Sequence, residues 1–460
     1  MKIQFDKPTT VYFIGIGGVS MSGLAHILLD RHFKVAGSDL HISDNTQRLV
    51  KEGATVFIGQ KAENINSNYK FVVYTAAIHP NNPEYQRAKE LGIPLLNRKD
   101  LLAMVMEHYP KSIAIAGTHG KTTTTAMLSY IFLQAKLDPT ISIGANLSRI
   151  NGNVYIGHSA YFIAEACEYT NSFLALAPYI SIITNIEEDH LDFFKDINDI
   201  RHSFHQFVLK TSNKGALIIH NAIVAKEEII AGYHGQVLTY GLNDGDIHSL
   251  NKHLLSDGTT MFEVVYQQHN LGTIHLPITG DHNVLNALAA ISVALYLRID
   301  WQMIKEGLAH FKGADRRFEK KGLFHKATVI DDYAHHPQEI QATLNMAFNY
   351  PHKRLIVVFQ PHTYSRTKAL FEEFAQVLKK VDICLLAPIY AAREDNDPSI
   401  SSALLAKRIN EIGGHAKSFI NFQKIKEYLH EIVQEQDLLM TIGAGDIVDV
   451  ANDLVKENNN

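Results

Sequence analysis

The densest chemistry in this chain stands in one run, SIAIAGTHGKTTTTAMLSYIF, residues 112–132. A predicted strand stops at Ala116, a loop carries Gly117 and Gly120, and Lys121 with Thr122 opens a predicted helix. Backbone N–H groups of such a loop and of the helix start bind phosphate oxygens. A lysine there neutralises β- and γ-phosphates, and the following hydroxyl ligates Mg2+. Gly117, Thr118, His119, Gly120, Lys121, Thr122 and Thr123 are therefore candidate ATP contacts. Ile115 stands five residues before Gly120, where the general pattern has another glycine, so this is the shorter GTxGK[ST] form.

A second glycine-rich run, GIGGVSMSGLA at 15–25, also follows a predicted strand. It has the first two glycines of GxGxxG, but Ser20 takes the third place. Asp39 follows the next strand, where a carboxylate can accept hydrogen bonds from ribose hydroxyls. NAD or another nucleotide diphosphate fits these residues; so does a turn that only packs helix on strand. Four more polar residues, Glu168, His190, Asp332 and His362, each lie just beyond a predicted strand, where open α/β sheets bind ligands. With 25 histidines in the chain, residue type alone singles out none of them. Position does: a carboxylate and an imidazole beside ATP phosphates suit a second Mg2+ site at Glu168 and His190, against the alternative of ordinary loop polarity.

The elements that must position these residues alternate between short apolar runs and helical patterns, which implies βαβ units, parallel sheets and an α/β class. Strands are predicted at 10–14, 34–38 and 70–75, then at 112–116, 327–331, 354–359, 382–386 and 437–441, with a helix over 283–297. A hairpin is expected to turn at Asn270-Leu271-Gly272. The 460 residues suggest about three domains at roughly 150 residues each. Their expected bounds are 1–109, 110–313 and 314–460, with a polar tail, KENNN, that frays.

Composition narrows the function. The 43 basic and 48 acidic residues are intermixed, which points away from nucleic acid and from a polybasic membrane anchor. Two distant cysteines, Cys167 and Cys384, match neither a disulfide framework nor a metal-ligand spacing. No apolar run is long enough for a membrane span and none resembles a signal peptide, so a cytoplasmic, small-molecule enzyme is expected.

The chain resembles the Mur ligases along essentially its whole length. GTHGKTTT is similar to that family's ATP loop, NIEEDHLD to its metal-histidine segment and GDHNVLNALAA to its adenine-side helix; GADRRFE with DDYAHHPQEI resembles the entry to its third domain. GIGGVSMSGLA, TAAIHPNNPE, DDYAHHP and FQPHTYSRT look most like the member that adds the first amino acid to UDP-N-acetylmuramate. The resemblance implies an N-terminal Rossmann-like domain that grips UDP rather than NAD, a central P-loop ATPase-type domain and a C-terminal Rossmann-like domain that brings the amino acid. It implies that Lys121 and Thr122 serve the phosphates and a first Mg2+, Glu168 and His190 a second Mg2+, and Asn286, Arg317 and Asp332 the adenosine side. Gly15, Gly17, Gly18, Ser22, Asp39, Thr75 and His79 fall in segments expected around the UDP-sugar, and Tyr333, His335, His362 and Arg366 around L-alanine.

The chain departs from its relatives in places. Many read EADES where this sequence has EACEY, so Cys167 replaces a carboxylate; Thr363 stands where many have arginine; and no lysine after His190 sits where siblings carry a carbamylated one. The implied reaction is ATP-dependent ligation through an acyl phosphate, an early step of peptidoglycan synthesis. Three alternatives remain: a sibling ligase attaching a peptide to the same sugar, an NAD-dependent dehydrogenase, and a non-catalytic nucleotide sensor.

Overall fold

The computed structural model describes the chain except residues 1, 2, 76, 77, 191, 192, 256, 257, 312, 314, 393, 459 and 460. Among the described residues it is α/β with three mostly parallel sheets. In the first, Thr55–Ile58, Lys34–Asp39, Thr10–Ile14, Phe71–Tyr74 and Leu95–Asn97 lie side by side in that order, all parallel. The central strand, TVYFI, is apolar without alternation because helices cover both faces of the sheet; Val11 and Phe13 point into one core and Tyr12 and Ile14 into another.

The second sheet centres on Lys111–Ala116, parallel to Tyr161–Glu165 on one side and to Ile180–Ile183 on the other. Ala216–His220 and Gln236–Gly241 continue the parallel run, and Ile247–Leu254, Thr260–Tyr266 and His269–Leu276 close that side as an antiparallel meander. The third sheet holds Ala327–Asp332, Leu438–Ile442, Leu355–Phe359, Ile383–Leu386 and Ala416–Ser418 in parallel, with Glu319–Phe324 antiparallel at its edge.

The expected hairpin forms, but its turn starts three residues earlier. Gln267 and Gln268 both take positive φ, 48° and 68°, the backbone of a tight two-residue turn. Asn270-Leu271-Gly272 instead makes a bulge: Val264 pairs with Gly272 and Val265 with Asn270, and the Asn270 side chain accepts from the Gly272 N–H at 2.8 Å. The polar tail prolongs the helix Val448–Asn458, with residues 459 and 460 outside the described set.

Contacts divide the chain into two compact units, Met1–Lys312 and Gly313–Asn460. The first two sheets share a unit because the helix Val19–Asp30 is pinned to the second sheet's edge. Asn153 donates to the Val19 carbonyl at 2.8 Å, and a Cβ on Gly23 would stand 2.5 Å from a Val154 methyl carbon. No helix among the described residues is long and apolar enough to cross a membrane.

A buried carboxylate ties the first sheet together. Glu84, wholly inaccessible to solvent, accepts from the Tyr12 hydroxyl at 2.7 Å, the Ser38 hydroxyl at 2.5 Å and the Asn64 amide at 2.7 Å. Glu84→Ala removes the acceptor of two buried hydroxyls and one of the two acceptors of the half-buried Asn64 amide, and should cost about 3 kcal/mol. The first unfolding transition in a thermal melt should fall by several degrees; an unchanged melt would contradict this role.

Candidate active site

The ATP-loop residues sit at the carboxyl end of the central strand of the second sheet. Gly117 takes φ 141° and Gly120 φ 81°, conformations that favour glycine, and Gly120 caps the helix Lys121–Gln134. There is no room for a side chain at either glycine. A Cβ on Gly117 would lie 1.9 Å from the Thr184 hydroxyl oxygen, and one on Gly120 would lie 2.5 Å from the Asn286 amide oxygen.

The neighbouring strand end splints this loop. Thr184 donates to the His119 carbonyl at 2.6 Å, and Asn185 both donates to that carbonyl at 3.0 Å and accepts from the His119 N–H at 2.8 Å. Thr118 accepts from the Glu187 N–H at 3.0 Å. Thr184 and Asn185 were not singled out from sequence; their signal was the polar pair ending the run YISIITN.

Lys121 is the hub. Its ammonium donates to the Gly117 carbonyl at 2.5 Å, the Thr118 carbonyl at 3.0 Å and both Glu168 oxygens at 3.0 Å. Burial works against the charge, but the Glu168 carboxylate outweighs it and holds the lysine above its ordinary value. Glu168 is only 2% exposed, and His190, at φ 53°, brings its Nε2 to 3.8 Å from Glu168 and 3.8 Å from Asp189. One ligand atom from each of Glu168, Asp189 and His190 falls within 4.8 Å of the others, a hard-oxygen and imidazole set that fits a divalent cation. Asp189 was missed from sequence although it directly precedes the histidine. Tyr169, in the EACEY departure, packs its ring on His190 at 4.5 Å. Burial first, then the Glu168 charge, pushes the Cys167 thiol up, so it stays protonated. Thr122 is buried on the first turn of the helix, and Thr124 donates to Asn286 at 3.2 Å, which brings Asn286 to the loop.

At the glycine-rich turn, Gly15 takes φ 80° and its N–H donates to the Ser38 carbonyl at 2.8 Å. Asp39 accepts from the Gly17 N–H at 2.8 Å and from the Leu40 N–H at 2.8 Å, so its carboxylate shapes the turn from within. Gly18 and His79 are exposed and Thr75 is half-buried at a strand end. Ser22 lies on the buried face and donates to the Val19 carbonyl at 3.0 Å, facing away from solvent.

In the second unit, Asp332 is buried and accepts from the Phe318 and Ala334 N–H groups and from the Thr343 hydroxyl, at 2.7, 2.8 and 3.1 Å. Burial pushes its carboxyl up, with Arg317 chief among the opposing influences. Arg317 lies 5.5 Å over the Tyr333 ring. Tyr333, His335, His362 and Arg366 form one contiguous cluster: the rings of Tyr333 and His335 are 5.6 Å apart, those of His335 and His362 5.8 Å, and Arg366 donates to His362 Nδ1 at 3.0 Å. Thr363, at φ 66°, caps the helix Tyr364–Ala369 by accepting from the Arg366 N–H.

Three family models match the chain in order: the Mur ligase family catalytic domain over residues 10–110, the Mur ligase middle domain over 115–294 and the Mur ligase glutamate ligase domain over 316–445. The UDP-N-acetylmuramate–L-alanine ligase of Agathobacter rectalis is 51% identical over 457 residues, 99% of this chain and 100% of that one. Its counterpart in Caldanaerobacter subterraneus is 46% identical over 459 residues, 100% of both chains. Among solved structures, the UDP-N-acetylmuramate-alanine ligase of Thermotoga maritima is similar at TM-score 0.82 and 26% identity, covering 98% of this chain and 99% of that one. A murein peptide ligase of Psychrobacter arcticus, at TM-score 0.72 and 23% identity over 98% of this chain and 99% of that one, shares the fold.

Two outcomes are expected of these contacts. Asn185→Ala should unsplint the loop and raise the KM for ATP about tenfold; an unchanged value would show that the loop holds its shape without it. His362 is pushed down from 6.5 to about 4 by burial, then by Arg366 and His335. Its folded value lies below the unfolded one, so the unfolded chain binds the proton more readily and stability is lost as pH falls from about 6.5 toward 4. NMR should show a neutral His362 ring down to about pH 5, and a midpoint at or above 6 would contradict the burial of the ring beside Arg366.

Proposed function

The chain belongs to the Mur ligase family, whose members use ATP and Mg2+, and from that premise we propose that it joins L-alanine to the lactyl carboxylate of UDP-N-acetylmuramate. The observation that carries this is the Lys121–Glu168 centre at the ATP loop, taken with full-length relatives named for that activity. It is an early step of peptidoglycan synthesis, and its expected place is the cytoplasm. Residues 1–109 take the UDP-sugar, 110–313 the ATP and 314–460 the amino acid.

A carboxylate does not acylate an amine, because oxide would have to leave. A lactyl oxygen therefore attacks the γ-phosphorus of ATP, the bond from that phosphorus to the β-bridging oxygen breaks, and ADP departs. The amine then attacks the acyl carbon and loses a proton, and phosphate leaves with the former lactyl oxygen. In this reading, N–H groups of Gly117, Gly120 and Thr123 orient the phosphates, Thr118 and His119 hold the loop's shape through their N–H bonds to Asn185, and Lys121 neutralises the transferring group. Thr122 and the trio of Glu168, Asp189 and His190 are the sites for two metal ions. Bound there, Mg2+ supplies charge neutralisation for phosphate and acyl oxygens. Asn286 meets the adenosine side, and Arg317 and Asp332 belong with it by resemblance. Gly15, Gly17, Gly18, Asp39, Thr75 and His79 surround the UDP-sugar, and Ser22 supports their turn from behind. Arg366 offers the alanine carboxylate a two-pronged charge-assisted match, with His362 fixing its orientation and Tyr333 and His335 walling the pocket.

The test is phosphate release with ATP, UDP-N-acetylmuramate and a panel of amino acids. L-alanine should be preferred, with glycine and L-serine poor but detectable, since one methyl or hydroxyl discriminates by only about 1–3 kcal/mol. Faster coupling of a preformed tripeptide or of D-glutamate would overturn the assignment. Lys121→Ala should lower turnover by about a hundredfold to a thousandfold, and a loss under about tenfold would remove Lys121 from the centre.

A further inference from the structure

A cavity of about 210 Å3 in the first unit has no role in the chemistry so far described. Ser20, at the glycine-rich turn, lines one part of it, and Cys167, the residue before Glu168, lines another. Arg98 and Lys99 line it too, at the start of the helix Arg98–Met106, where the edge strand Leu95–Asn97 ends. Among the described residues neither side chain has a hydrogen bond or ion pair. The Asn97 cap is satisfied by the Lys99 N–H at 3.1 Å, and the cavity's carboxylate, Glu165, accepts from the Gly144 N–H at 2.7 Å. Burial pushes the Arg98 guanidinium down, yet an arginine keeps its charge, so a half-buried cation stands there without a counter-ion. Apolar side chains such as Phe173 and Leu102 complete the wall.

We infer that Arg98, assisted by Lys99, is a positioning residue that takes an anionic oxygen of the UDP-sugar, either its lactyl carboxylate or its diphosphate. This rests on the UDP-sugar reading above. The cavity is bounded by Ser20 of the glycine-rich turn, where that reading puts the nucleotide, and by Cys167, the neighbour of Glu168, beside which it puts the lactyl carboxylate. A guanidinium fork matches either anion in two-pronged fashion, and a partly desolvated cation gains more from such a partner than a surface one does.

Calorimetric titration of the full chain with UDP-N-acetylmuramate, UDP-N-acetylglucosamine, UDP and ATP tests this. Arg98→Gln should weaken UDP-N-acetylmuramate about tenfold or more and leave ATP and the melting temperature unchanged. If the lactyl carboxylate is the partner, binding of UDP-N-acetylglucosamine, which lacks it, will not change; if the diphosphate is, all three uridine ligands will weaken together. Arg98→Lys keeps the charge and loses the fork, so it should fall between the two, and it carries the test should the glutamine variant not fold. Equal binding of UDP-N-acetylmuramate by the parent and both variants, or an equal loss for ATP as well, would overturn the role of Arg98. Failure of the parent chain itself to bind UDP-N-acetylmuramate would instead remove the reading on which it rests.

Discussion

The buried pair of Lys121 and Glu168 is the interaction on which the rest of the first unit's site depends. Neither charge is tolerable alone at that depth: removing one partner of a buried ion pair typically costs about 3–5 kcal/mol, because the other is left uncompensated. Three separate strand ends are therefore fixed relative to one another. The ATP loop brings the lysine, the segment after Tyr161–Glu165 brings Glu168, and the segment after Ile180–Ile183 brings both the Thr184–Asn185 splint and His190. The glycines follow from the same constraint, since Thr184 and Asn286 press so closely on Gly117 and Gly120 that no Cβ would fit. In the proposed reaction, a lysine held so firmly would be oriented before a phosphate arrives, as electrostatic catalysis of phosphoryl transfer requires.

Much of this was legible in the sequence for a physical reason. In parallel sheets the strands are buried on both faces, so they read as short apolar runs, and functional residues follow their carboxyl ends. Lys121, Glu168, His190, Asp332 and His362 were singled out that way, and the structure puts each at or after a strand end. What escaped lay where that signal fades. Thr55–Ile58, Leu95–Asn97 and Ala416–Ser418 are edge strands of three or four residues with no fully buried position. Thr184, Asn185 and Arg98 act through partners more than 60 residues away or through a cavity, and no local spacing encodes either. The hairpin turn was misplaced because Asn and Gly mark bulges as readily as turns; two consecutive glutamines at positive φ carry no compositional signal.

At Asp39 the structure shows a backbone role where the sequence suggests a ligand role. Sequence position pointed to a ribose partner, whereas its carboxylate accepts backbone N–H groups of the turn and of its own loop. A carboxylate has about four lone-pair sites, so shaping the turn leaves capacity for a ligand. Arg366 and His362 divide the work differently. The neutral ring accepts one N–H and so orients the guanidinium, whose remaining side-chain donors have no partner among the described residues.

In the proposed reaction the lactyl carboxylate is activated as an acyl phosphate at the Lys121 centre before the amine attacks. Oxygen tracing tests it most directly. With 18O in the lactyl carboxylate of UDP-N-acetylmuramate and a single turnover in the presence of ATP and L-alanine, one labelled oxygen should appear in the released phosphate. Phosphate free of label would contradict the account, because the bond between that oxygen and phosphorus would then never have formed.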